Sequence, residues 1–198
     1  MNANNTYATN DVDPRELLAV AAERAVPVVA GIDDKALAEP TPCADYDVKA
    51  LVNHLFQVVV EFQKLAVKQD SDFSTMPDRV AEGPDWRERF AGQARALVAA
   101  WSGPGALDGT SGAMKMPARL VAGMALLDLT VHAWDLARAT GQEYEAEPRV
   151  VAELAGAVDE LSPTARKMGV FGPPVEVPGD ASPFARLLAA TGRDPRQG

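Results

Sequence analysis

This chain of 198 residues carries only two histidines, His54 and His132, and each lies inside a long apolar stretch where an unpaired ring is costly to bury. Asp128 stands four residues before His132, in LLDLTVHAWDLA. On a helix that spacing sets carboxylate and ring side by side on one face. Two ligands on one helix want a third from elsewhere, and His54, in VNHLFQVVVEF, is the only other imidazole the chain offers. His54, Asp128 and His132 therefore form a candidate two-His, one-carboxylate metal site. Neutral imidazole nitrogen and carboxylate oxygen suit zinc first, with nickel or ferrous iron as alternatives. Three protein ligands leave positions open for water or substrate, as catalytic sites do. The competing reading is a buried network in which Asp128 simply satisfies His132.

Neighbouring residues extend either reading. Asp135, three residues past His132, is a candidate outer acceptor that fixes a ring tautomer, or else the partner of Arg138. Glu61, two turns beyond His54 on nearly the same face, is a spare ligand or base, or a polar edge residue. Trp134 is core or pocket wall, and Trp86 and Trp101 are core. Cys43 lies just ahead of a helix start, where the dipole lowers a thiol pKa, or serves as a small apolar group. The Gly-Pro runs hold no phosphate-loop or dinucleotide pattern, and there is no nucleophilic Ser motif.

The elements that must position these groups are helical. Asp13-Pro14 is a cap followed by proline at the first helical position, and predicts a helix to about residue 32 that Pro27 kinks or shortens. Asp47 caps a second helix, roughly 48–69, whose Leu51, His54, Leu55, Val58, Phe62 and Leu65 recur at helical spacing and point inward. A third helix is predicted over about 85–102 and ends at Gly103-Pro104-Gly105. A fourth, about 117–140 and closed by Gly141, is apolar nearly all round, as a central helix is. Weaker helical patterns cover 148–167 and 182–191, on either side of the proline-dense FGPPVEVPGDAS. No strand pattern or internal repeat is evident. The expected fold is an all-α four-helix bundle with additional C-terminal helices: one domain over 13–198, extended from about residue 145, behind a frayed polar segment at 1–12.

Composition narrows the function classes. Asp and Glu outnumber Lys and Arg 28 to 19, and the net charge of −9 argues against nucleic-acid and membrane-surface partners, which need excess cations. No basic-then-apolar leader opens the sequence, and the apolar stretches are interrupted by polar residues. One cysteine excludes an internal disulfide and fits a reducing cytoplasm.

Three segments carry a resemblance. TPCADYDVKALVNHL and DLTVHAWDLARATGQ resemble the two His-bearing segments of the mycothiol-dependent maleylpyruvate isomerase-like, DinB-like superfamily, and FGPPVEVPGDASPFARLLAATGRDP resembles the ending of one uncharacterised actinobacterial-type subfamily. The resemblance runs from about residue 40 to the C-terminus. It implies a four-helix bundle holding a divalent metal through a His of the second helix and an acid-x-x-x-His pair, which fall on His54, Asp128 and His132 here. The isomerase has Glu where this chain has Asp128, and a separate C-terminal domain for which too few residues follow 145. The expected function is a metal-dependent transferase or isomerase that joins a small molecule to a low-molecular-weight thiol such as mycothiol, with Arg186 and Arg193 as candidate anchors for an anionic substrate. The other classes in view are a non-catalytic ligand-binding or stress-related bundle, and a metal-assisted hydrolase with Glu61 as base. Members of this family often pair, so a homodimer is expected.

Overall fold

The computed structural model describes residues 12–113 and 115–196, so the segment expected to fray lies outside the described residues except for Val12. Helix α1 (Pro14–Ala30) starts where the sequence places it: the Asp13 carboxylate accepts the Arg15 backbone N–H and proline fills the first turn. It ends one turn after Pro27, short of residue 32, and the Gly31 N–H closes on the Pro27 carbonyl at 2.9 Å. Helix α2 (Val48–Ala66) is capped by Asp47, whose Oδ1 accepts from the Ala50 N–H at 2.7 Å. Leu51, Leu55, Val58, Phe62 and Leu65 are buried along the predicted face. His54 on that face is half-buried.

A second stripe on α2 has a different task. Lys49, Asn53, Gln57 and Glu61 recur every four residues, so they share one face, and together they clasp the 67–85 connection. Lys49 and Asn53 bond the Asp78 carboxylate at 2.6 and 2.9 Å, and Asn53 Oδ1 accepts the Val80 N–H at 3.0 Å. Gln57 donates to the Asp72 carbonyl at 2.8 Å, while Glu61 accepts the Asp72 N–H at 2.8 Å.

Helices α3 (Trp86–Trp101) and α4 (Ala118–Ala139) complete the bundle. Helix α1 packs on α3 and α4, and α2 packs on the same two, so α1 and α2 occupy one diagonal and α3 and α4 the other. The connection 67–85 joins the neighbours α2 and α3, and the diagonal crossings are made by the long connections 31–47 and 102–117. The last includes a feature absent from the sequence expectation: a two-stranded antiparallel ribbon of β1 (Thr110–Ser111) and β2 (Met116–Pro117), too short to leave an alternating pattern. Lys68, closing α2, secures it by donating to the carbonyls of Ala106 and Asp108 at 2.6 and 2.8 Å. Helix α4 is long and apolar enough to cross a membrane by length and composition alone, but 78% of its most apolar window is buried inside the protein. It is the central helix of the bundle.

Helix α5 (Pro148–Lys167) lies against α4 and α1, and α6 (Pro183–Ala190) pairs with α5. The irregular chain between them is tied down by the Val175 N–H to the Ala189 carbonyl, and Arg166 of α5 donates to the Ala190 carbonyl at the end of α6. After α6 the backbone turns at Gly192, with φ of 92°, directly against Gly172. A Cβ on Gly192 would stand 2.7 Å from the Gly172 Cα, so Gly192 must be glycine for the chains to meet. The turn aims the residue after it, Arg193, at α4.

Candidate metal centre

Helix α4 sends three polar groups out of an otherwise apolar surface: Asp128, His132 and Asp135. Helix α2 supplies His54, whose ring meets that of His132 edge to face, with centroids 5.0 Å apart and planes at 89°. The two imidazoles, 78 positions apart in the chain, are thus in contact. Asp128 Oδ1 lies 3.7 Å from His132 Nε2, longer than a hydrogen bond but within ion-pair range. On the other side of the ring, His132 Nδ1 is 3.0 Å from Asp135 Oδ2.

Burial separates the two carboxylates. Asp135 is fully enclosed, whereas Asp128, between buried Leu127 and Leu129, keeps 31% side-chain exposure. Asp128 therefore looks out toward solvent from the bundle's central helix. Desolvation raises its pKa, with His132 and Arg193 only partly offsetting that. Asp135 moves the other way: burial works against its charge, but the His132 hydrogen bond and the Arg193 guanidinium outweigh it and hold the carboxyl below its usual range. Burial, helped by the charges of His132 and Arg193, pushes His54 down to about 4. His54 is accordingly neutral at physiological pH, the state in which imidazole binds metal.

The loop before α2 closes one side. Thr41 ties it by donating to the carbonyls of Cys43 and Tyr46 and accepting the Cys43 N–H. This knot stacks the Tyr46 ring on His54, centroids 5.1 Å apart and 20° between planes. It also brings Cys43 to the site: ligand atoms of Cys43, His132 and Asp135 all lie within 4.8 Å of one another. Nothing in the spacing of Cys43 ties it to a helix almost ninety positions away, so the tertiary fold alone brings it here. The adjacent-helix argument for an acidic thiol is also corrected, since burial pushes Cys43 up to about 11.

The donor chemistry distinguishes two overlapping sets around His132. In the set of Cys43, His132 and Asp135, the carboxylate already spends both oxygens on Arg193, at 2.9 Å to Nη2 and 3.3 Å to Nε. In the set of His54, Asp128 and His132, one imidazole is held neutral and the carboxylate is an undercompensated charge open to solvent. Among the described residues, the first set is the group whose three ligand atoms lie within 4.8 Å of one another; the second is joined by the His54–His132 ring contact and the Asp128–His132 approach, and a cation there would offset the burial cost of Asp128 without displacing a guanidinium.

Other candidate residues have different surroundings. Glu61 is buried and engaged by Gln57 at 3.0 Å, Lys64 at 2.7 Å and the Asp72 amide, so its carboxylate holds the 67–85 connection. Trp134 is buried in the core. Arg186 is exposed and caps the Gly179 carbonyl at 2.6 Å. Arg193 is 8% exposed; burial opposes its charge, but Asp135 outweighs that and keeps its pKa above the ordinary value. Both guanidinium groups are spent on protein partners.

This chain matches the mycothiol maleylpyruvate isomerase N-terminal domain family over residues 18–137, more than half its length, and belongs to that family. Two curated relatives, the uncharacterized proteins MT0763 and Rv0738 from two strains of Mycobacterium tuberculosis, are each 29% identical over 175 residues, covering 85% of this chain and 91% of theirs. No solved structure matches it significantly. The family span contains α2, α3 and all but the outer ends of α1 and α4, together with Cys43, His54, Asp128, His132 and Asp135. Arg193 lies beyond it.

Proposed function

We propose that the protein is a divalent-metal-dependent enzyme that acts on a small electrophile through a low-molecular-weight thiol, mycothiol, either as a transferase that ends with the thiol adduct or as an isomerase that expels the thiol again, with His54, Asp128 and His132 holding the ion. Zinc is the first candidate metal. The observation that carries this reading is the edge-to-face contact of the two imidazoles, 5.0 Å between centroids, with the Asp128 carboxylate 3.7 Å from His132 Nε2. Membership of a mycothiol-linked family supports the thiol.

A bound zinc supplies Lewis acidity that favours thiolate over thiol at neutral pH. The chain's own groups do the rest. His54 stays neutral and available as a donor. Asp128 contributes the one charge of the set and faces solvent, on the side from which a thiol and an electrophile would approach. Asp135 holds the far nitrogen of His132, and Tyr46 covers the face of His54. A reducing cytoplasm and a homodimeric state belong to the same proposal.

Elemental analysis of the purified protein and of His132→Ala tests the site. About one equivalent of metal in the first and none in the second is expected, and no metal in the wild type after incubation with zinc, nickel and ferrous iron overturns the reading. Cobalt separates the two donor sets: a strong sulfur-to-metal charge-transfer band would assign Cys43 as a ligand, and its absence fits His54, Asp128 and His132. Turnover of electrophilic substrates must then depend on added mycothiol. Equal turnover without thiol would indicate hydrolysis instead.

A further inference from the structure

We infer that Arg193, delivered by the C-terminal segment outside the family span, is a positioning residue that fixes the tautomer of His132 through Asp135. The inference rests on the reading of His132 as a ligand. Its chain of contacts is direct. Arg193 places Nη2 at 2.9 Å from Asp135 Oδ2 and Nε at 3.3 Å from Oδ1, and the same Oδ2 lies 3.0 Å from His132 Nδ1. A carboxylate clasped at both oxygens by a guanidinium is ionised and can only accept hydrogen bonds. The proton of a neutral His132 therefore belongs on Nδ1. The lone pair is left on Nε2, the nitrogen that Asp128 approaches and that a cation would use.

The tail is built to hold Arg193 there. Its N–H closes on the Leu188 carbonyl at 3.0 Å, its Nη1 donates to the Thr191 carbonyl at 3.2 Å, and the Gly192 turn against Gly172 leaves the backbone no slack. Without the guanidinium, Asp135 would be a buried carboxylate no longer held as an acceptor only, and the His132 proton could sit on either ring nitrogen. A ring with its proton on Nε2 turns no lone pair toward Asp128 and a cation there. The charged or titratable groups around the ring are Cys43, Tyr46, His54, Asp128, Asp135 and Arg193. Among these, Arg193 alone is always a cation.

With two histidines in the chain, nitrogen NMR of the metal-free protein reads the state of His132 directly, and His54→Asn completes the assignment. The neutral ring of the wild type should show a protonated Nδ1 and an unprotonated Nε2. Arg193→Ala should show a mixture of tautomers, with zinc affinity down about 10- to 100-fold, while Arg193→Lys restores part of both. Amide spectra and far-ultraviolet dichroism establish that each variant is folded; if Arg193→Ala is not, the comparison of Arg193→Lys with wild type carries the test through the same nitrogen signals. An unchanged Nδ1-protonated His132 in folded Arg193→Ala overturns the inference, as does unchanged ring protonation in Arg193→Lys where that variant alone folds. Loss of zinc binding by the wild type with the tautomer shift intact would instead defeat the metal reading and leave the role of Arg193 standing.

Discussion

Asp128 and His54 oppose each other in how they affect stability. The folded state raises the pKa of Asp128, so any stabilisation from that group is present at acid pH and lost as pH rises through the folded value. Asp128→Asn is therefore expected to stabilise the metal-free protein at pH 7 by about 1 kcal/mol, a typical gain from relieving a strained functional residue, while abolishing metal uptake. Urea unfolding in chelator, paired with zinc titration, reads both effects; a destabilised variant that still binds zinc would contradict them. His54 has the reverse sign. Its pKa drops from 6.5 to about 4 on folding, so its contribution is fully present above 6.5 and drains away as pH falls toward 4. The loss in that window should be on the order of 2 kcal/mol, measured by unfolding between pH 7 and 4, and His54→Asn should flatten the slope.

At the scale of elements, α2 has two jobs on two stripes. Its apolar face builds the core and carries His54, while the row from Lys49 to Glu61 clamps the 67–85 connection. Glu61→Ala leaves the Asp72 amide and the Gln57 side chain short of an acceptor inside the protein, at a cost of about 1–3 kcal/mol. Limited proteolysis should then cut within 67–85 before the bundle opens, with zinc affinity unchanged. A loss of metal binding equal to that of His132→Ala would instead return Glu61 to the site. The helical pattern announced the apolar stripe because burial leaves a hydrophobic period. It left the polar row unread, because loop partners with no period of their own decide what such a row holds.

Across the whole molecule, α5 packs the C-terminal extension on α4 and α1, Arg193 ties it to Asp135, and the close approach of Gly172 and Gly192 within the extension sets the turn that delivers Arg193. Gly192→Ala meets both a positive φ and a 2.7 Å approach. It should cost about 1–2 kcal/mol and raise amide exchange in α6 more than in α2, as hydrogen-exchange mass spectrometry would register; uniform exchange would mean that the tail and bundle unfold as one unit. Local signals in the chain determined a great deal: proline and aspartate caps, 3.6-residue apolar periods and glycine stops define each principal helix to within a few residues, and the Asp128–His132 spacing fixes two groups on one face. Those features depend on neighbours in sequence, so sequence carries them. Only the tertiary structure decided that α1 and α2 lie on a diagonal, that a proline-rich loop brings Cys43 beside His132, and that an arginine near the C-terminus neutralises Asp135. Such contacts join residues with no spacing relation, and burial energy together with close approach at a pair of glycines, rather than any local code, selects them.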